Sequence, residues 1–464
     1  MKKYFSIHRL VFYFALIFFV IFYLYGISSN MVFFGDQAWF YISARDLILG
    51  REFPLLGITS SHTWIHQGPV WTYMLVPGFL ISNFHPLSGV YLSVVFGILS
   101  LILVYKIGKD FFSQRFAIIF FLLYAFSPLV VFHVRLSYHT SPIPFVVLGL
   151  FYAAGKWVQG NVIYFPLTLF ALSLLYNFEL ATVIFVPIIL FLLLYGFFKR
   201  EKFVSGLRSK KIIFFSILAV FIPMLPILIH DVQNGFPQTV VFAGWFGYKL
   251  LQFIGILEKN SVDNSSFQEG VIFFFQKYKE LLSVPYQYIS VTVFLASVLF
   301  SIYKVFTTKN FISPLGIILS CTCLGLLAYF LSGVPSEAYL VMLFPGLIFC
   351  ISLLIYGLRR NIIIGFVLFI LIILNVYYII STNYLTKGKV TISKKIAVTE
   401  KIFQNTNGKK VELFYKGPGQ EFKSSVMPYE YLLWWRAGIE SDPDGKRWII
   451  KELRDTVVVE EFYR

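Results

Sequence analysis

Eleven mostly apolar stretches constrain this chain more than any other feature. They lie at 9–29, 84–105, 116–134, 141–158, 162–178, 179–198, 211–230, 286–306, 311–331, 338–358 and 361–381. A helix needs about 20 such residues to cross a bilayer. In hydrocarbon no water satisfies backbone N–H and C=O groups, so runs like these must become helices. The sequence therefore predicts a mainly α, polytopic membrane protein with about 11 transmembrane helices. The segments 141–158 and 162–178 are short for a full crossing, and the division at 178/179 falls inside one apolar region. Composition agrees. Hydrophobic residues make up 58% and charged residues 13%, against roughly 25% charged in soluble domains. That excludes a disordered chain and argues against a soluble one.

The net charge of +16 would suggest nucleic acid in a soluble protein. Here it reads as topology. With the N-terminus cytoplasmic, seventeen cations, among them Lys2, Lys3, Arg9, Lys106, Lys109, Arg115, Lys199, Arg200, Arg359 and Arg360, fall in short inner loops. Only seven fall in the much longer outer loops. The positive-inside rule then predicts N-terminus in, C-terminus out, in a cell membrane, and nucleic acid drops out as a partner. The N-terminal charges and apolar run resemble a signal peptide, but the run is long and no small-x-small site follows it, so it reads as an uncleaved first helix. Cys321, Cys323 and Cys350 all fall within spans, which argues against a disulfide framework.

Two parts are expected: a membrane module at 1–381 and a small extracytoplasmic domain at 382–464. The tail contains 26 of the 62 charged residues. It reads as a helix at 391–404, a strand in VELFYK, a helix ending at Gly438, a turn at Asp442-Pro443-Asp444-Gly445 and two further strands, a small α+β unit. The inner loops are short and basic. The large outer regions, 30–83, 231–285 and the tail, are where a site can be built.

In the first outer loop, Asp36 precedes a helical pattern at 37–49 in which Phe40, Ala44, Leu47 and Ile48 share a face. This fits an interfacial helix that Gly50 ends. The apolar stretch 70–82 reads as a second one. Asp36 has a plain reading as N-cap of the first helix; that position would also hold a carboxylate at the water boundary. His62 and His66 read first as solvated loop histidines. Arg135 lies just past a span, beside His133, Tyr138 and His139. It either snorkels to headgroups or waits for a phosphate. Glu179 is an acid between two apolar runs with no nearby cation. It is functional by default at membrane depth and merely exposed if 177–179 is an outer turn. HDVQNGFPQT after 230 reads as a turn, and Glu337 is a lone acid in a very short outer turn.

The order of these features resembles the GT-C glycosyltransferases, in particular the dolichyl-phosphate-mannose protein mannosyltransferase-like group that includes the lipid A aminoarabinose transferase. The matching residues are Asp36, Gly50, Pro54, Gly57, His66, Gly68 and Pro69, then Ser127-Pro128 before Arg135, HDVQNGFP at 230–237, EAYLVMLFP at 337–345, and Tyr429 to Leu433 with Gly438. Two departures stand out. Gln37 occupies the place of a second acid in many relatives, and His66-Gln67-Gly68-Pro69 lacks the Lys that contacts the lipid phosphate in the aminoarabinose transferase. The resemblance implies inverting transfer of a hexosyl or pentosyl group from a polyprenyl-phosphate sugar to an acceptor hydroxyl on a lipid, glycan or protein. Asp36 would be the base and Arg135 the donor-phosphate contact. Gln37, His66, Tyr138, His139, Glu179 and Glu337 are pocket candidates. Some relatives bind a divalent metal, for which His62, His66, His139 and His230 are conceivable ligands without forming a set. The rival from another class is a transporter or flippase of lipid-linked sugars. It predicts matched broken helices about midplane charges, and no such pair is visible in the sequence. A polysaccharide polymerase or ligase would be expected to carry its large outer loop late in the chain. A purely structural membrane protein would not need Asp36 and Arg135 where they stand.

Overall fold

The structure is a computed structural model that describes residues 2–60, 65–253, 256, 267–283, 286–332, 334–386, 388–406, 410–453 and 456–462. His62 and much of the loop after 253 lie outside these residues.

Each of the eleven apolar stretches is helical. Among the described residues, eight helices are long and apolar enough to cross a membrane: Phe12–Asn30, Ser88–Phe111, Leu180–Lys199, Lys210–Asn234, Gln287–Thr308, Pro314–Ser332, Glu337–Tyr356 and Asn361–Ser381. The pair Gln114–Ala125 and Pro128–Val134, bent by 67°, is long and apolar enough only when its two helices are taken together. Pro128 explains the break: it has no N–H to donate back and its ring crowds the preceding turn. The two short stretches form the shorter helices Ile143–Val158 and Tyr164–Phe178. The chain is a multi-pass membrane protein.

Loops expected on one side of the membrane meet one another. The 30–83 loop touches the 135–141 turn through Tyr138 and Asp36, and the helix after 236 through His66 and Gln238. The loops expected on the other side also meet: Asp110 pairs with Lys156, and Trp157 donates to the Phe203 carbonyl. The charge-based loop map and the packing are therefore mutually consistent.

The tail folds as the turn signals require. The helix Ile392–Thr406 leads into β1 (Val411–Lys416), then the helix Met427–Ala437, β2 (Lys446–Leu453) and β3 (Thr456–Glu461). β1 pairs parallel to β2 and β2 antiparallel to β3. Gly438 takes φ 68° and ends its helix in the left-handed conformation that glycine adopts without a Cβ penalty. Val398, Ile402, Leu413, Tyr429, Trp448 and Ile450 pack into a core of their own. Ile392, Tyr431 and Leu432 instead join the core of the membrane module. The tail is thus docked onto the module.

Candidate active site

The first-loop helix runs from Gly35 to Ile48, two residues earlier than the sequence pattern suggests, and Phe34 is its N-cap. The cause is Gln37, whose Oε1 accepts the Phe34 backbone N–H at 3.2 Å, the return bond of a capping box. Asp36 is therefore not the N-cap. It sits in the first turn with its carboxylate free for other partners. Tyr138 Oη donates to Asp36 Oδ2 and Ser424 Oγ donates to Asp36 Oδ1, each at 3.2 Å. Asp36 itself is half-buried, so the carboxylate is held on both oxygens at the edge of the packed interior.

Behind it lies a buried polar cluster. Burial, reinforced by the charges of Asp36 and Glu179, pushes the Tyr138 phenol well above its ordinary value, so it remains a donor. Glu179 is 5% exposed. The helix Tyr164–Phe178 ends as Glu179 turns extended, and a 3-10 turn, Leu180–Phe185, follows. The Glu179 carboxylate accepts the Ala181 N–H at 3.4 Å and Gln67 Nε2 at 3.3 Å. Of the two sequence readings, exposed turn or buried acid, the structure has the buried acid at a chain break. His139 Nε2 lies 4.0 Å from Glu179 Oε2, and its ring packs against Tyr138 and Phe40. Among the described residues neither ring nitrogen of His139 has a hydrogen-bond partner, nor do Gln67 Oε1 and Gln37 Nε2, though all are buried. Buried polar atoms in such positions leave hydrogen-bonding capacity for a water or a ligand group.

The glycine of His66-Gln67-Gly68-Pro69 has a steric reason. A Cβ on Gly68 would come within 1.8 Å of Asn177 Oδ1 and 2.4 Å of Asn177 Cγ. Asn177 cannot swing away, because its Nδ2 donates to the carbonyls of Ser173 and Pro223. Gly68→Ala is expected to cost about 1–3 kcal/mol through overpacking, measured as a lower unfolding midpoint in detergent. An unchanged midpoint would mean that the segment repacks freely. His66 is tied rather than free: its Nδ1 is 3.1 Å from the Gly57 carbonyl and its N–H donates to Gln238 Oε1.

Three sequence candidates have partners of their own outside this cluster. Arg135 is 4% exposed. Its Nη1 donates to the carbonyls of Tyr23 and Tyr25 at 2.8 Å each, closing the end of the first span, while Nη2 has no partner among the described residues. Burial pulls its pKa down to about 10. Glu337 belongs to a separate ion network, with His133 Nε2 and Lys277 Nζ at 2.8 Å each. Burial works against the Lys277 ammonium, but Glu337 and Glu280 outweigh it, and its pKa rises. HDVQNGFPQT is structural: buried Asp231 accepts the N–H groups of Gln238 and Thr239 and so caps the following helix. No group of three or more His, Cys, Asp or Glu side chains among the described residues is arranged to hold a metal ion.

Sequence reasoning missed Ser424, which lies 388 residues from Asp36 in a stretch without any motif. It also missed Lys389, whose ammonium sits over the Phe34 ring beside the site.

Residues 66–230 match the sequence model of the dolichyl-phosphate-mannose-protein mannosyltransferase family, a range that includes Gln67, Arg135, Tyr138, His139 and Glu179 but not Asp36. No curated protein matches the chain. Solved structures share its fold, among them the following two. ArnT from Cupriavidus metallidurans bound to undecaprenyl phosphate aligns with TM-score 0.61 at 10% identity, over 96% of this chain and 92% of that one. The archaeal oligosaccharyltransferase AglB from Archaeoglobus fulgidus, in complex with an inhibitory peptide and a dolichol-phosphate, aligns with TM-score 0.51 at 12% identity, over 97% of this chain and 70% of that one. The chain therefore has the fold of the GT-C membrane glycosyltransferases, and its residues 66–230 match the dolichyl-phosphate-mannose-protein mannosyltransferase family.

Proposed function

We propose that this protein is a membrane glycosyltransferase that moves a sugar from a polyprenyl-phosphate donor to an acceptor hydroxyl on the extracytoplasmic side of the plasma membrane, with inversion at the anomeric carbon. The observation that carries this reading is the Asp36 carboxylate, held by Tyr138 and Ser424 in front of the buried group of Glu179, His139 and Gln67. It sits on a fold shared with a protein whose structure contains undecaprenyl phosphate.

In the proposed step the acceptor oxygen forms a bond to the anomeric carbon and passes its proton to Asp36. The bond from that carbon to the phosphate oxygen breaks, and its electron pair leaves with the polyprenyl phosphate. Phosphate is a good leaving group, so no strong general acid is required. A base in line on the opposite face is what helps. The unpaired Nη2 of Arg135 supplies a donor for the developing phosphate charge. The buried atoms of Gln37, Gln67 and His139 face the sugar hydroxyls. The acceptor is a hydroxyl of a lipid, glycan or protein.

The test is to incubate the purified protein with undecaprenyl-phosphate-linked glucose, mannose, galactose and aminoarabinose, and to measure release of undecaprenyl phosphate. Release from at least one supports the reading. Release from none, together with movement of these lipids across vesicle bilayers, would replace it with the flippase. Arg135→Ala is expected to raise the donor KM by roughly 10-fold or more, the effect of losing a charge-assisted hydrogen bond. An unchanged donor KM would reduce Arg135 to its role at the end of the first span.

A further inference from the structure

We propose that Ser424 is a positioning residue for Asp36, so that the site is complete only when the C-terminal segment is seated on the first-loop helix. The inference rests on Asp36 acting as the base. Three observations carry it. First, each Asp36 oxygen has one hydroxyl donor, Tyr138 from the membrane module and Ser424 from the tail. Losing either leaves the carboxylate held on one oxygen only, with a wider range of rotation about its Cβ–Cγ bond. Second, the approach of the two segments depends on Gly35. A Cβ there would stand 2.3 Å from the Ser424 carbonyl oxygen and 2.9 Å from its Oγ, so only glycine lets the tail come this close.

Third, the tail is clamped along the length of the first-loop helix. Before it, the Ile392 N–H donates to the Met31 carbonyl at 2.8 Å, and Val32 pairs with Thr391. Along it, Tyr431 packs on Tyr41, and the Arg45 guanidinium lies 4.8 Å over the Trp434 ring. After it, Arg51 pairs with Glu440 at 2.5 Å. Contacts on both flanks fix the register that brings Ser424 to Asp36. A carboxylate that must accept a proton along one direction gains most from such fixing, because misplacement by about 1 Å can cost a large factor in rate.

The experiment compares Ser424→Ala and Ser424→Thr with the wild type, using the undecaprenyl-phosphate sugar released fastest in the panel above. Ser424→Ala is expected to lower kcat about 10-fold while leaving the donor KM and the unfolding midpoint unchanged, and Ser424→Thr, which keeps the hydroxyl, should restore most of the rate. A kcat for Ser424→Ala equal to wild type, or an equal loss in both variants, would overturn the proposal. Asp36→Asn measured alongside separates the two failures: an inactive Asp36→Asn with a normal Ser424→Ala removes only Ser424, whereas a fully active Asp36→Asn removes the base itself.

Discussion

Asp36→Asn is expected to lower transfer by about 10²–10⁴-fold, with protein level and membrane insertion unchanged. The range is what removal of a positioned general base costs. The substitution preserves shape and one of the two acceptor oxygens used by Tyr138 and Ser424, while at the other position the amide NH2 donates to a hydroxyl that can rotate to accept it, so the helix that bears it should stay in place. It removes the ability to take a proton. Insertion should be unaffected, because Asp36 lies in the first-loop helix, outside the spans. The measurement is turnover of the undecaprenyl-phosphate sugar identified in the panel, beside the unfolding midpoint of the same preparation. Full activity would remove Asp36 as the base and direct attention to Glu179, the other acid contacting the polar cluster.

Glu452→Ala should be the most destabilising single change in the tail. Lys395 is 3% exposed, its Nζ pairs with the Glu452 carboxylate, and the Tyr429 hydroxyl donates to the same carboxylate at 2.6 Å. Burial pulls the Lys395 pKa down and Glu452 opposes that shift. Without Glu452 the ammonium is left in an apolar core with the Tyr429 ring 4.7 Å away. Breaking a buried pair from one side costs about 3–5 kcal/mol. Replacing both partners, Lys395→Met with Glu452→Leu, should recover most of the loss, since an apolar pair of similar volume often serves as well. Urea unfolding of the full-length protein in detergent, followed by proteolysis of the tail, measures both. If the single variant is as resistant as the wild type, the pair contributes nothing to the tail.

The contrast between these two residues shows what can be read from one dimension. Asp36 was legible because its signal is local: an acid after an apolar run and before a helical pattern. Even so, its exact place was not, because the helix start depends on the Gln37–Phe34 bond. Lys395 carries no such signal. In sequence it is one cation among many in a polar helix, and only the fold buries it. Glu179 lies between: the apolar runs around it marked it as unusual, but whether it faced water or the interior depended on the chain break that the surrounding helices impose.

The sequence by itself determined the class of protein, the helical segments, which loops lie together and the elements of the tail. These follow from the length of apolar runs, the distribution of Lys and Arg, and turn residues, all of which act over a few residues to a few turns of chain. The tertiary structure alone decided which polar groups meet. Asp36, Gln67, Tyr138, Glu179 and Ser424 come from five separated segments. Glu337, a candidate of the same standing in the sequence, was drawn into another network by Lys277 and His133. The physical reason is that apolar burial is non-directional and tells a segment only that it must be covered. Which partner covers it, and which hydroxyl then lies 3.2 Å from which carboxylate, depends on close packing of distant elements, such as the approach that Gly35 allows.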